Sequence, residues 1–154
     1  MSTKYISKVL FNNTLDKSSY LNNLPVIRYL SSEKQLSFDS DVTFFVGENG
    51  TGKSTFIEAI AVSLGLNPEG GSSYLNYHTY DTHSCLFNDL KLTRGPYRNK
   101  DSFFLRAESF YNVASELDRI TDAWRMMKNY GGRIHERSHG EGFLSVILNR
   151  LSGN

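Results

Sequence analysis

Two kinds of hydrophobic spacing divide the chain: short alternating or continuous apolar runs up to Val46, and apolar residues every three or four positions after Ser109. Tyr5–Phe11 alternates as a strand does, and Asn12-Asn13 marks a turn behind it. Leu24–Leu30 is a second apolar stretch, in which Pro25 argues for an edge strand or an extended connection. Leu36–Phe38 is a short third strand, followed by a turn at Asp39-Ser40-Asp41. Val42-Thr43-Phe44-Phe45-Val46 is β-branched and aromatic throughout and predicts a buried strand. A glycine-rich segment follows, and Phe56 to Leu64 then takes up helical spacing that Gly65 should end. Asn67–Ser73 reads as a loop, and Tyr74 to Lys100 has no clear period. Within it, Leu86-Phe87 and Leu90–Leu92 suggest a hairpin pair ending at Gly95-Pro96. Phe103–Arg106 reads as another buried strand. From Ser109, the residues Phe110, Val113, Leu117, Ile120, Trp124 and Met127 are spaced 3, 4, 3, 4 and 3 apart. One helix up to Gly131-Gly132 is expected, with Trp124 and Met127 packed in the core. A last helix from about Glu141 would place Phe143, Leu144, Ile147, Leu148 and Leu151 on one face.

This order predicts a single α/β domain: strands in 1–46, a loop and helix in 47–64, an insertion in 65–102 and a helical part in 103–154. Its 154 residues suffice to bury a core. A formal net charge of +1 gives no overall electrostatic case for binding nucleic acid or membrane. Cys85 is the one cysteine, which excludes an internal disulfide and fits a reducing, cytoplasmic setting. No apolar run approaches the roughly 18 residues of a membrane span, and the first residues lack the apolar core of a signal peptide.

The glycine-rich segment carries the chemistry. Gly47-Glu48-Asn49-Gly50-Thr51-Gly52-Lys53-Ser54-Thr55 matches G-x-x-x-x-G-K-[ST], between a strand-like run and a helix. Glycines let the backbone curl so that successive N–H groups point at phosphate oxygens, and the helix start adds its positive dipole end. Lys53 would reach the β- and γ-phosphates, and Ser54 would be a ligand of Mg²⁺. These residues predict a site for a nucleoside triphosphate.

A second segment supports two incompatible readings. His135-Glu136-Arg137-Ser138-His139 matches H-E-x-x-H, in which two imidazoles on one helical face bind zinc beside a glutamate base, and this predicts a zinc-dependent hydrolase as an alternative function. Ser145 stands where a third ligand would be, and Gly131-Gly132, Gly140 and Gly142 weaken the helix. The other reading takes Ser138-His139-Gly140-Glu141-Gly142 as an anion-binding loop at the start of the last helix. Other polar residues invite plainer interpretation. His78, His83 and Cys85 have poor metal-ligand spacing, and Lys91, Arg94, Arg98 and Lys100 are a modest basic cluster. Tyr5 or Tyr29 could stack on a base or pack in the core.

Ser138-x-Gly140-Glu141 before an amphipathic helix resembles the signature motif of ABC-type ATPases. Thr43–Ala61, Asn67–Gly71, Phe103–Asn112 and His135–Leu144 together resemble the predicted ATPases related to RecF and the structural-maintenance-of-chromosomes group. That resemblance implies an ABC-ATPase-like P-loop fold, with a mixed sheet and flanking helices, that binds ATP and Mg²⁺. It also implies hydrolysis coupled to dimerisation, with Ser138, Gly140 and Glu141 capping the nucleotide of a homodimer mate or partner ATPase subunit. Glu108 would occupy the Q-loop position, and DNA or a nuclease is a possible partner. A Walker B strand is expected after the signature helix, where the sequence stops at Asn154. Cys85–Asp89 is too short to replace it and precedes the signature, so Asp89 is expected to be a hairpin or turn residue. The chain would thus be an N-terminal portion, truncated before Walker B, that hydrolyses ATP weakly or not at all and leaves a sheet edge open. A non-catalytic nucleotide-binding or interaction module is the remaining alternative.

Overall fold

The computed structural model describes residues 4–73, 75, 83–96 and 102–150. They fall into two compact units, one of residues 1–68 and 80–102 and the other of 69–79 and 103–154.

In the first unit, β1 (Ile6–Phe11) is the centre of a three-stranded sheet ordered β2-β1-β4, between β2 (Gln35–Ser37) and β4 (Leu90–Arg94). Both pairings are antiparallel, with Val9 opposite Leu36 on one side and Leu92 on the other. Side chains alternate across a sheet, so Val9 and Phe11 enter a core shared with Ile27, Leu30, Phe56, Ala59, Leu86 and Leu90. The helices of that core are α1 (Pro25–Glu33) and α2 (Lys53–Ser63). Gly65 follows α2 in the left-handed region at φ 84, as its position after the periodic stretch predicts.

Three expectations fail in this unit. Leu24–Leu30 is not extended: Leu24 caps α1 and Pro25 opens it. The first helical position needs no N–H, so a proline there starts a helix as readily as it would limit a strand. The expected hairpin of Leu86-Phe87 with Leu90–Leu92 is instead a 3-10 turn, Cys85–Asp89, leading into β4, which pairs with β1. Asp89, expected to be a hairpin or turn residue, closes that 3-10 turn, with its side chain buried. Its Oδ1 accepts hydrogen bonds from Thr14 N–H at 2.5 Å and Thr14 Oγ1 at 2.6 Å. A buried carboxylate needs such donors, and these tie the turn to the loop behind β1.

The third failure is larger. Residues 43–48 belong to neither helix nor strand. Phe45 turns onto the core, edge-on to Phe38 at 6.4 Å and to Phe56 at 5.5 Å. Val42, Phe44 and Val46 are 66%, 84% and 92% exposed. β2 and β4 take both edges of β1, and residues 42–46 pair with neither of these outer strands. Among the described residues, 42–46 make no backbone hydrogen bond.

In the second unit, β3 (Gly71–Ser72) pairs antiparallel with β5 (Phe103–Phe104), so only the first half of the strand expected at Phe103–Arg106 forms. Three helices follow: α3 (Phe110–Ile120), α4 (Ala123–Tyr130) and α5 (His139–Arg150). Much of the segment from Tyr74 to Lys100, with His78, Arg98 and Lys100, lies outside the described residues, as does Leu151. The single helix expected from Ser109 to Gly131 is broken at Thr121-Asp122, because the Asp122 carboxylate caps α4 by accepting from Arg125 N–H at 2.9 Å. The break changes the phase of the apolar stripe. Phe110, Val113 and Leu117 remain in the core, but Met126 and Tyr130 take the places expected for Trp124 and Met127. Trp124 and Met127 are 68% and 64% exposed.

The buried side of α5 also differs from the expected one. Gly142, Ser145 and Val146 face inward while Leu144 and Leu148 are exposed. Small residues admit a close approach: a Cβ on Gly142 would lie 3.0 Å from Ile134 Cγ2. Ser145 Oγ donates to Tyr130 O at 2.5 Å and accepts from Asn149 Nδ2 at 3.2 Å. The Arg137 guanidinium donates to Ser145 Oγ and to Gly131 O, joining the end of α4 to α5. Polar bonds of this kind are invisible to a hydrophobic pattern.

Met126→Ala should therefore lower stability by about 2–5 kcal/mol, the usual result of emptying a packed core position. Trp124→Ala should cost less than about 1 kcal/mol, chiefly through its contact with the Lys128 ammonium, 5.1 Å from the ring. Urea denaturation of the two variants distinguishes this from one continuous helix, for which the order would reverse.

Candidate functional site

The loop between Val46 and α2 is built against the start of α1. Gly52 has φ 90, and a Cβ placed on it would lie 2.6 Å from Val26 Cγ1 and 3.2 Å from Leu24 Cβ. Only glycine suits both the backbone angle and the close approach. Val26 N–H donates to Thr51 O at 3.3 Å, and Thr51 Oγ1 donates to Glu48 O at 2.9 Å. Sequence reasoning missed the part played by Leu24 and Val26. The signal was present in Pro25, which sets the start of α1 beside the loop.

Lys53, the first residue of α2, turns its ammonium back over the loop. Nζ donates to Gly47 O at 2.8 Å and to Glu48 O at 2.6 Å, with Thr51 Oγ1 at 3.3 Å. The first N–H groups of any helix lack intrahelical partners, so those of Lys53, Ser54 and Thr55 remain to serve an anion. A cavity of about 240 Å³ opens there, lined by Leu24, Asn49, Gly50, Gly52, Lys53, Ser54 and Thr55. A second, of about 340 Å³, lies where Gly47, Thr51 and Lys53 meet Val26, Tyr29 and Phe45. Among the described residues, no carboxylate lines either cavity. The structure thus brings Gly47 through Thr55 together around a fixed positive charge.

The donor set also fits a magnesium ion. Ser54 is exposed, and its hydroxyl has no hydrogen-bond partner among the described residues. One protein oxygen suffices for an ion that takes most of its ligands from phosphates and water. The two candidate aromatics are separated. Tyr29 shares a cavity with Gly47, Thr51 and Lys53, whereas Tyr5 lines a different one of about 550 Å³ with Phe38, Phe45 and Ile57.

In the second unit, Ser138 and Glu141 form a reciprocal cap at the start of α5. Glu141 Oε2 accepts from Ser138 Oγ at 2.7 Å and from Ser138 N–H at 3.0 Å, while Glu141 N–H approaches Ser138 Oγ at 3.4 Å. This S-x-x-E box satisfies orphan donors of the helix start. The Ser138 hydroxyl, followed by its N–H, holds the Glu141 carboxyl below the ordinary glutamate value. Gly140 lies in the first turn of α5 with open space about its Cα.

The zinc helix does not form. His135 and Glu136 lie in the turn before α5, and His139 is that helix's first residue. Both imidazoles rest instead against Tyr111, with centroid distances of 5.8 Å for His135 and 5.2 Å for His139. His135 Nε2 lies 2.9 Å from Ser115 Oγ, and Ser115 Oγ donates to Tyr111 O at 2.9 Å, so the ring nitrogen is the donor to the serine. Ser145, at the third-ligand position, is occupied in the α4–α5 network. Among the described residues no three His, Cys, Asp or Glu side chains are placed to hold a metal. Glu108 is exposed and pairs with Arg106 at 3.5 Å, which is what a surface glutamate does.

A family model described as an AAA domain matches residues 21–125, more than half of the 154-residue chain. No curated protein and no solved structure matches.

Two measurements test this geometry. Gly52→Ala should cost about 1–3 kcal/mol in urea denaturation, since the new methyl overlaps Val26. Gly50→Ala meets nothing within 4 Å and should cost only its backbone strain at φ 82, about 1 kcal/mol; equal costs would contradict the buttress. Carboxyl NMR should show Glu141 titrating below the ordinary glutamate value, and Ser138→Ala should return it upward. Because the folded value is depressed, the cap's contribution is fully present above the ordinary glutamate range and is lost as pH falls through the depressed value. No change on Ser138→Ala would remove the cap from consideration.

Proposed function

The chain belongs to the AAA domain family, and from that premise we propose that Gly47–Thr55 binds the triphosphate of ATP together with Mg²⁺. What carries the proposal is Lys53, whose ammonium is already held over the loop by the Gly47 and Glu48 carbonyls. Exchanging part of that contact for β- and γ-phosphate oxygens needs little movement. The backbone N–H groups from Gly50 to Ser54 line the phosphate groove, Thr55 follows at the α2 start, and Ser54 contributes one ligand to the metal. Bound Mg²⁺ supplies charge neutralisation between the β- and γ-phosphates. Asn49 and Glu48 shape the outer rim of the loop.

These groups bind and neutralise; they do not place a water. Hydrolysis also requires an oriented nucleophile and compensation of transition-state charge. No described carboxylate lines the loop cavities, so this chain on its own should bind ATP and turn it over slowly. In an active assembly, ATP closes two ATPase units, in a homodimer or with a partner subunit, in the manner of ABC-type enzymes. Ser138, Gly140 and Glu141 then cap the partner's nucleotide, for which Ser138 has to trade its bond to Glu141 for one to phosphate. Glu108 assists with the metal and water once its pairing with Arg106 is released. The RecF-like and chromosome-maintenance-like character, the cytoplasmic location and a DNA or nuclease partner belong to this same proposal. No described helix is long and apolar enough to cross a membrane.

Calorimetric titration of ATP with Mg²⁺ tests the proposal. Wild type should bind with micromolar to millimolar affinity, and Lys53→Ala should weaken binding at least tenfold, about 1.4 kcal/mol or more. Binding that ignores Lys53→Ala would contradict the phosphate site. Rapid Mg²⁺-dependent turnover abolished by the same substitution would contradict slow hydrolysis but leave the site intact.

A further inference from the structure

Thr51 is a neutral side chain in a loop whose binding chemistry lies in backbone N–H groups and a lysine, yet four hydrogen bonds meet at it. Its carbonyl accepts from Val26 N–H at 3.3 Å, and its N–H donates to Glu48 O at 3.4 Å. Its hydroxyl donates to the same Glu48 O at 2.9 Å and accepts from Lys53 Nζ at 3.3 Å. A hydroxyl has one proton and two lone pairs, so it fills both roles at once. Gly47 leaves room for the arrangement, since a Cβ there would lie 3.3 Å from Thr51 Oγ1 and 3.9 Å from Lys53 Cδ.

An ammonium has three N–H donors. Those of Lys53 meet Gly47 O at 2.8 Å, Glu48 O at 2.6 Å and Thr51 Oγ1 at 3.3 Å. The shortest of these bonds goes to the carbonyl that the Thr51 hydroxyl steadies. Without that hydroxyl, Thr51 would reach Glu48 O only through its long N–H bond at 3.4 Å. Lys53 would lose a partner as well. Branching at Cβ restricts χ1, so the threonine methyl helps to keep the hydroxyl in its working rotamer. The Thr51 carbonyl is bonded in turn to the first turn of α1, which ties the whole arrangement to the core of this unit.

We propose that the Thr51 hydroxyl is a positioning group for Lys53: it sets the Glu48 carbonyl and completes the partners of the ammonium while the loop is empty. Of the three bonds, the one to Thr51 is the longest and runs to a neutral hydroxyl, so it is the one that a phosphate oxygen replaces. The two carbonyl bonds hold the ammonium during the exchange. A lysine stem ordered beforehand does not have to be fixed at the binding step. The effect on ATP rests on the triphosphate reading above, whereas the hold of Thr51 on Lys53 exists without nucleotide.

Two series on wild type, Thr51→Val and Thr51→Ser separate these claims. Valine keeps the size and the Cβ branching and removes the hydroxyl; Thr51→Ala, which also removes it, repeats the test, and circular dichroism checks the fold. The first series contains no nucleotide and measures trace acetylation by acetic anhydride, read by mass spectrometry, with the exposed Lys91 as internal reference. Thr51→Val should raise the Lys53 rate relative to Lys91 by about threefold to tenfold, the range expected for one hydrogen bond. Thr51→Ser should return it at least halfway. The second series is calorimetric titration with Mg²⁺ and ATP, in which Thr51→Val should raise Kd by about threefold to tenfold and Thr51→Ser should fall between valine and wild type. A Lys53 rate indifferent to Thr51→Val, or a serine variant that matches the valine one in both series, would overturn the proposal. Altered acetylation with unaltered ATP affinity would overturn its effect on binding. If wild type binds no ATP while acetylation follows the expected order, the triphosphate reading fails and the hold of Thr51 on Lys53 stands.

Discussion

The space denied to a side chain at Gly52 is the constraint on which the first unit turns. Leu24 and Val26 stand where a Cβ would be, and Val26 N–H reaches the Thr51 carbonyl. The loop is therefore moulded against the first turn of α1 rather than suspended between secondary structures. The remaining support comes from one core. Ile27 and Leu30 of α1, Phe56 and Ala59 of α2, and Val9 and Phe11 of β1 are buried together. Both helices that bracket the loop are thus referenced to the same sheet. Lys53 then needs only the Gly47 and Glu48 carbonyls to hold its charge over the loop. A pre-positioned ammonium lowers the ordering cost of binding a polyanion.

At the start of α5, local structure accounts for a motif that the sequence also offers as an anion site. Ser138 and Glu141 satisfy each other as a helix cap, which any helix start would favour. The same serine and N–H groups suit an anion, and the Glu141 carboxylate is the anion now beside them. Capping thus accounts for the geometry of the isolated segment without any reference to nucleotide. Ser145 and Arg137 belong to the joint between α4 and α5 and have no part in metal chemistry.

The glycine-rich loop before α2 was the most legible stretch of local structure, because its glycines and Lys53 fall within nine consecutive residues, Gly47–Thr55. β1, α2 and the stop at Gly65 were legible for the same reason. What failed depended on residues distant in sequence or on polar atoms. Propensity showed that Val42–Val46 suits a strand, but not whether another strand would lie beside it. Spacing carried the apolar stripe straight through Thr121-Asp122, because a cap changes helical phase without changing the count between apolar residues. Pro25 was compatible with two structures, and in the helical one its neighbours Leu24 and Val26 meet the loop. Asp89 is the turn residue expected, but its burial was not legible, because Thr14, which satisfies its carboxylate, lies 75 positions away.

Amide NMR of ¹⁵N-labelled protein during addition of Mg²⁺ and ATP tests the central claim most directly. If the loop is the phosphate site, the largest shifts fall on Gly50, Gly52, Lys53, Ser54 and Thr55, with Val26 following through its bond to Thr51. Shifts confined to other segments, or no shift at the loop at saturating ATP, would contradict it.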